Sequence, residues 1–259
     1  MSERPVVLVT GAARRLGREI ALDLASHGFD VAVHFRGSRE EAEQTVANAR
    51  DVGAQAAALQ ADLSDEAACH ALVPAVLARF GRLDALVNNA SDFSYDDARG
   101  FSHAAMERHW RANTAPAVLL STALHAHAVA AGRDAVAVNI LDQKLWNLNP
   151  DHFSYTLSKA ALQAATTMLA QALAPRMRVC AVAPGTTLPS HAMTDAEFAQ
   201  AHRLTPLGRS STPADIARSV RFLIESPAIT GTTLLVDGGQ HLQGQPRDVI
   251  FIVNPNKET

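Results

Sequence analysis

The stretch Val6-Val7-Leu8-Val9-Thr10-Gly11-Ala12-Ala13-Arg14-Arg15-Leu16-Gly17 decides the fold. Val6 to Thr10 is a continuous run suited to a strand buried on both faces. A helix follows from Arg15 to Ser26, with Ile20, Leu22 and Leu24 among its apolar positions and Gly28 closing it. A glycine between strand and helix lets the backbone approach a pyrophosphate, and the helix N-terminus offers free N–H groups and partial positive charge. A dinucleotide fits this turn, although glycine there also serves plain turn geometry.

Outward from this unit the pattern repeats. Strand-like runs recur at Asp30 to Phe35, Ala56 to Gln60, Ala85 to Asn88, Ala135 to Ile140, Arg178 to Val182 and Thr232 to Val236. Helix-like stretches lie between them at Glu40 to Val52, Asp65 to Phe80, Ala104 to Ala131, Tyr155 to Leu173 and Pro213 to Glu225. The pattern predicts a single-domain α/β fold, a Rossmann-type doubly wound parallel sheet of seven strands with helices on both faces, over residues 1–242. Residues 185–212 contain Pro189 and Pro206 and no strand pattern, so they read as a mobile substrate loop with a short helix near Asp195 to Leu204. The tail, 243–259, reads either as a disordered end or as an arm onto a neighbouring subunit; the apolar run Val249 to Val253 favours the arm.

A chain of 259 residues with 47% hydrophobic and 19% charged residues suits one continuous core and excludes a disordered chain. The net charge of −3 and the scattered arginines leave no basic surplus, so no nucleic acid partner is expected. Cys69 and Cys180 have no Cys-x-x-Cys spacing and read as reduced structural thiols; no metal is expected. The start Met-Ser-Glu-Arg-Pro shows no leader, and no uninterrupted apolar run approaches the ~20 residues a bilayer needs. A soluble, cytoplasmic protein with no membrane partner is the expectation.

After the second strand, an acidic residue commonly binds a ribose 2′-hydroxyl, whereas a basic residue suits a 2′-phosphate. Here the strand ends His34-Phe35-Arg36-Gly37-Ser38-Arg39, with no acid before Glu40. Arg14, Arg36, Ser38 and Arg39 can build a phosphate pocket, which favours NADPH over NADH; alternatively they decorate a surface turn. Asp62, within Ala61-Asp62-Leu63, is a candidate for an adenine amino group, and Asn88-Asn89-Ala90 for the cofactor cleft. Tyr155 and Lys159 stand at i and i+4, on one helix face. A nearby cation favours tyrosinate and eases proton donation by a phenol, whose reference pKa is ~10.

The Thr10-to-Gly17 turn, Asp62, Asn88-Asn89-Ala90, Asn113, Tyr155-x-x-x-Lys159, Pro184-Gly185 and Asp237-Gly238-Gly239 follow in this order. Together they resemble the short-chain dehydrogenase/reductase superfamily over almost the whole chain. The resemblance implies that Tyr155 protonates substrate, that Lys159 also holds the nicotinamide ribose, and that Asn113 supports a water-linked proton path. It implies a cofactor site of Gly11, Arg14, Arg15, Leu16, Gly17, Phe35, Arg36, Ser38, Arg39, Asp62, Leu63, Asn89, Ala90 and Ser91, with Pro184 and Gly185 bordering the nicotinamide. A homotetramer packing the long helices is implied as well.

Two departures narrow the resemblance. Asp142 holds the slot of the superfamily's usual active-site serine, and Arg15 that of the middle glycine of the turn. Both are shared by pteridine reductases and the dihydromonapterin or dihydrofolate reductases of this superfamily. Phe93, three residues after Ala90, matches an aromatic that stacks on the pterin there; Ser91 would approach cofactor phosphate or pterin, and Arg15 the pterin and pyrophosphate. Gly238-Gly239-Gln240-His241-Leu242 also looks like that subgroup, whereas Gln143-Lys144-Leu145-Trp146-Asn147 matches no motif of it. A carboxyl at 142 suits the ring nitrogens and amidine edge of a pterin better than a ketone. Other readings are a loop or N-cap role for Asp142, and ordinary packing for Phe93 and for Trp146. The substrate expected is a small molecule, a dihydropterin or dihydrofolate. The alternatives are a 3-oxoacyl or other ketone, or a non-enzymatic NADP(H)-binding sensor.

Overall fold

The computed structural model describes residues 4–190 and 193–257. The first three residues, on which the expectation about a leader bears, lie outside the described residues, as do 191–192 of the loop and 258–259 of the tail.

Seven parallel strands form one sheet in the order β3-β2-β1-β4-β5-β6-β7. They are β1 Val6–Val9, β2 Asp30–Phe35, β3 Ala56–Gln60, β4 Ala85–Asn88, β5 Ala135–Ile140, β6 Met177–Pro184 and β7 Thr233–Val236. The helices are α1 Arg15–Ser26, α2 Arg39–Asp51, α3 Glu66–Phe80, α4 His103–His109, α5 Ala115–Ala131, α6 Phe153–Ala172, α7 Asp195–Arg203, α8 Pro213–Glu225 and α9 Val249–Val253. Side chains alternate along β1. Val7 and Val9 pack with Ile20 and Leu24 of α1, Val46 of α2 and Val220 and Leu223 of α8. Val6 and Leu8 pack on the other face with Leu72 and Val73 of α3, Leu120 and Leu124 of α5 and Leu169 of α6. Burial on both faces is why the strands read as unbroken apolar runs, each large side chain stabilising the fold by roughly 1.5–3 kcal/mol.

β1 pairs with both β2 and β4, so the chain changes direction across the sheet at β1. The crevice beyond the carboxyl ends of β1 and β4 is the place where such sheets bind ligands.

Two elements depart from expectation. The helix expected over Ala104 to Ala131 is interrupted: a π-helical turn, Trp110–Thr114, separates α4 from α5. Pro116 lacks the N–H that would close the α-helical ladder there, which permits the wider turn. The 29 residues His103–Ala131 are long and apolar enough to cross a membrane by length and composition, yet Leu120, Leu124 and Ala128 pack into the core. The described part of the tail is ordered, where a disordered end was one of the two readings. It folds onto its own domain as a strap ending in α9, where Val249, Ile250 and Phe251 are buried.

Candidate active site

Tyr155 and Lys159 lie in the first two turns of α6, which begins two residues earlier than the apolar pattern indicates. The reason is a cap from outside the helix. Asp96 of the loop after β4 accepts Ser154 N on Oδ1 (2.9 Å) and the Ser154 hydroxyl on Oδ2, while its carbonyl accepts Phe153 N. A buried carboxylate thus ties that loop to the end of the helix that carries the phenol.

Asp142, just beyond β5, meets Tyr155 directly: the Tyr155 hydroxyl donates to Asp142 Oδ2 at 2.9 Å. Asp142 Oδ1 accepts Lys144 N, also at 2.9 Å. Burial raises the Asp142 carboxyl above its ordinary range, against the opposing Lys144 N–H and Tyr155 hydroxyl. Burial, and then Asp142 itself, raise the Tyr155 phenol well above its ordinary value. Lys159 does not reach the hydroxyl. Its ammonium donates to Ile140 O at 2.8 Å and lies 5.8 Å from the Tyr155 ring centre, and burial lowers it to about 8. In this arrangement Lys159 is bonded to Ile140 O, and burial raises the proton affinity of both the phenol and the carboxyl.

Asn113, on the π-helical turn, is fully committed. Its Oδ1 accepts Asp92 N (2.7 Å) and the Ser91 hydroxyl (3.1 Å), and its Nδ2 donates to Ser158 Oγ (2.9 Å) and Asp92 O (3.0 Å). It fastens the Ser91–Asp92 segment to α6. Phe93 projects at the mouth, 47% exposed, one face stacked on His152 at 4.1 Å and its ring edge-on to Tyr155 at 4.7 Å.

At the coenzyme end, Gly11 has φ +64 and Gly17 has no room for a Cβ, which would strike Gly11 O. Asn89 fills the adjoining space, its Nδ2 donating to Thr10 O (2.9 Å) and Gly11 O (3.3 Å), while Thr10 Oγ1 accepts Asn89 N and Ala90 N. α1 has no side-chain cap and no acid in its first turn, so its N–H groups face the turn without a competing anion. Arg15 has φ +55, the left-handed region glycine favours, at a cost of roughly 1–2 kcal/mol. Its guanidinium donates to Pro189 O at 2.7 Å, linking the coenzyme turn to the loop after β6.

Arg14, Arg36 and Arg39 are exposed around the end of β2, with Ser38 half-buried among them. Arg39 donates to Gln60 Oε1 and lies over the Phe35 ring, and Arg14 stands 3.9 Å from Glu41. The side chains of Phe35 and Leu63 are core, while Leu16, at the start of α1, is partly buried against the same core cluster as Phe35. Asp62 is exposed and accepts Ser64 N and Oγ. Pro184 ends β6, and a Cβ on Gly185 would strike Ser210 Oγ and Asp237. A cradle that excludes Cβ atoms, uncapped helix amides and three exposed guanidiniums at one strand end fit a phosphorylated dinucleotide.

The family model described as enoyl-(acyl carrier protein) reductase matches residues 11–241. The fold superposes with a TM-score of 0.90 on FolM alternative dihydrofolate reductase 1 of Brucella canis, crystallised with NADP, at 42% identity over 96% of this chain and 98% of that one. The Brucella suis protein of the same name gives 0.90 and 43%, over 96% and 99%. A 3-oxoacyl-[acyl-carrier-protein] reductase of Staphylococcus aureus is 33% identical over 251 residues, 91% of this chain and 97% of that protein. The chain belongs to the short-chain dehydrogenase/reductase family. It is an oxidoreductase, and the family's nicotinamide coenzyme is its hydride carrier.

Several residues that shape this short-chain reductase's site escape the sequence patterns. Gly11 N donates to His34 Nδ1 at 3.0 Å, so Nε2 carries the ring proton and donates to Ala61 O at 3.1 Å. One imidazole joins two coenzyme loops, and burial lowers it to about 4, keeping it neutral. Asp151, 2% exposed, accepts Arg247 Nε (2.8 Å), Asp248 N (2.7 Å) and the Tyr95 hydroxyl (3.3 Å), fixing the strap over the active-site segment. These partners lie up to 97 residues apart and leave no local signature. Only Asp248, an N-cap accepting Ile250 N ahead of an apolar run, is recognisable as a helix start. Cys69 and Cys180 are free and buried, each thiol donating to a backbone carbonyl.

Proposed function

We propose that this reductase uses NADPH to reduce a dihydropterin or dihydrofolate ring. The observation that carries the reading is the 2.9 Å hydrogen bond between Tyr155 and Asp142, two buried acids whose proton affinities are both raised. A carboxyl whose proton affinity is raised by burial can donate to a ring nitrogen when protonated and accept from an amidine edge when ionised. Phe93, half-exposed beside Tyr155, offers a flat apolar surface to a planar ring. The two Brucella structures support the same reading through their names and bound NADP. Arg14, Arg36, Ser38 and Arg39 would hold the 2′-phosphate, and Gly11 to Gly17 the pyrophosphate. When bound, NADPH supplies the hydride; Tyr155 gives its proton to the substrate nitrogen and Asp142 passes a proton on to the phenol. Lys159, anchored on Ile140 O, faces the same region and would hold the nicotinamide ribose.

A ketone substrate is the second reading, supported by the similarity to the 3-oxoacyl reductase. Kinetics with NADPH on dihydrofolate, dihydrobiopterin and a 3-oxoacyl thioester separate the two. We expect turnover of a pterin substrate, NADPH binding at least ~10-fold tighter than NADH, and a fall of roughly 10²-fold in kcat/KM for pterins in Asp142→Ser. A wild-type enzyme that reduces only the thioester, with Asp142→Ser as active or more so, overturns the pterin reading.

A further inference from the structure

The strap places a partly buried carboxylate, Asp248, where it acts on the Asp142–Tyr155 pair. Lys144 follows Asp142 by two residues and its side chain is only 5% exposed, so water does little to neutralise its ammonium. Asp248 does so instead: its Oδ2 lies 3.3 Å from Lys144 Nζ, across 104 residues of sequence. The pair is held in place because Arg247 Nε and Asp248 N both donate to buried Asp151.

The charged and titratable groups facing this spot come from four elements. Asp142 and Lys144 stand on the segment after β5, and Asp151, His152, Tyr155 and Lys159 on and before α6. Tyr95 comes from the loop after β4, and Arg247 and Asp248 from the strap. Arg247 is spent on Asp151, Lys159 on Ile140 O, and burial holds His152 towards its neutral form. Lys144, whose backbone N–H is bonded to Asp142, is with Lys159 one of two buried cations coupled to that carboxyl, and Asp248 is the counter-ion of Lys144. An opposite charge within about 4–6 Å favours ionisation of a carboxyl and lowers its pKa by roughly 1–3.

We propose that Asp248 is a positioning residue for proton delivery: by holding the Lys144 ammonium on its own carboxylate, it keeps that cation from drawing the proton off Asp142. This rests on Asp142 and Tyr155 forming the proton path, not on which substrate is reduced. Burial is the first cause of the high proton affinity of Asp142; Lys144 opposes it and Asp248 adds to it. Asp248 acts in the same direction on Tyr155.

Reduction needs the pair protonated, so kcat/KM falls as pH rises through the pair's apparent pKa. In Asp248→Asn, which keeps an acceptor for Ile250 N, that descending limb should move to lower pH by about 1 pH unit or more. Lys144→Met should move it to higher pH, and the double variant should return it towards wild type. A general loosening of the strap would lower kcat without moving the limb, or move it the same way in both single variants; either result overturns the proposal. The profile is taken on whichever of dihydrofolate, dihydrobiopterin or the 3-oxoacyl thioester the wild-type enzyme reduces. If none is turned over, the pterin reading fails by itself. Carbon-13 NMR titration of the Asp142 carboxyl, assigned by its loss in Asp142→Asn, then decides: a midpoint in Asp248→Asn equal to or above wild type sinks the role of Asp248.

Discussion

Asp142 and Tyr155 are separated by thirteen positions in sequence and by one hydrogen bond in space. The spacing places the carboxyl in the slot of a serine, but the sequence does not show that the carboxyl meets the phenol while the lysine is bound to a backbone carbonyl. Tyr155→Phe keeps the ring and removes the proton donor. Turnover should fall by roughly 10²- to 10⁴-fold, while NADPH titration gives a dissociation constant within about twofold of wild type; near-native turnover would mean that another acid does the work. Motifs at i and i+4 were legible because one helix sets their geometry. His34 was not, because its role depends on two loops that approach each other only once β1, β2 and β3 are paired. Arg15 was legible as a departure from glycine, and the left-handed backbone explains why glycine is the common choice there.

At the scale of elements, the seven strands and their order of appearance follow from apolar runs that local burial dictates. What pattern alone missed are three places where one element is finished by another: the α6 start capped by Asp96, the π-helical turn permitted by Pro116, and the strap. The strap depends on Asp151, which is almost wholly buried and would lose its main cationic partner in Arg247→Ala. Part of that ion pair is exposed, the Arg247 side chain being 47% accessible, so the loss should be modest, on the order of 1 kcal/mol. The expected outcome is faster proteolytic cleavage within residues 243–257 and a lower kcat/KM, with the melting temperature of the sheet domain little changed. Cleavage at the wild-type rate would show that Asp248 N and Tyr95 suffice to hold the strap.

For the molecule as a whole, pH should act on stability through His34. Its unfolded value is ~6.5 and its folded value about 4, so as pH falls the unfolded chain takes up the proton first. The contribution of the neutral ring is present above pH 6.5, is lost progressively as pH falls towards 4, and is at most about 3 kcal/mol. Urea titrations between pH 7 and 4 should show a smaller loss of stability in His34→Asn than in wild type; parallel curves would mean that the ring does not carry this linkage. Whole-molecule architecture was the most legible level, since two buried sheet faces leave their mark on the five inner strands. The strap has a consequence for a shortened chain. Asp248 stands about 12 residues beyond the end of β7, so a cut between them leaves every strand and the coenzyme turn in the sequence while removing the carboxylate that faces Lys144. Trimming from the C-terminal end should therefore reach the acid pair before it reaches the scaffold.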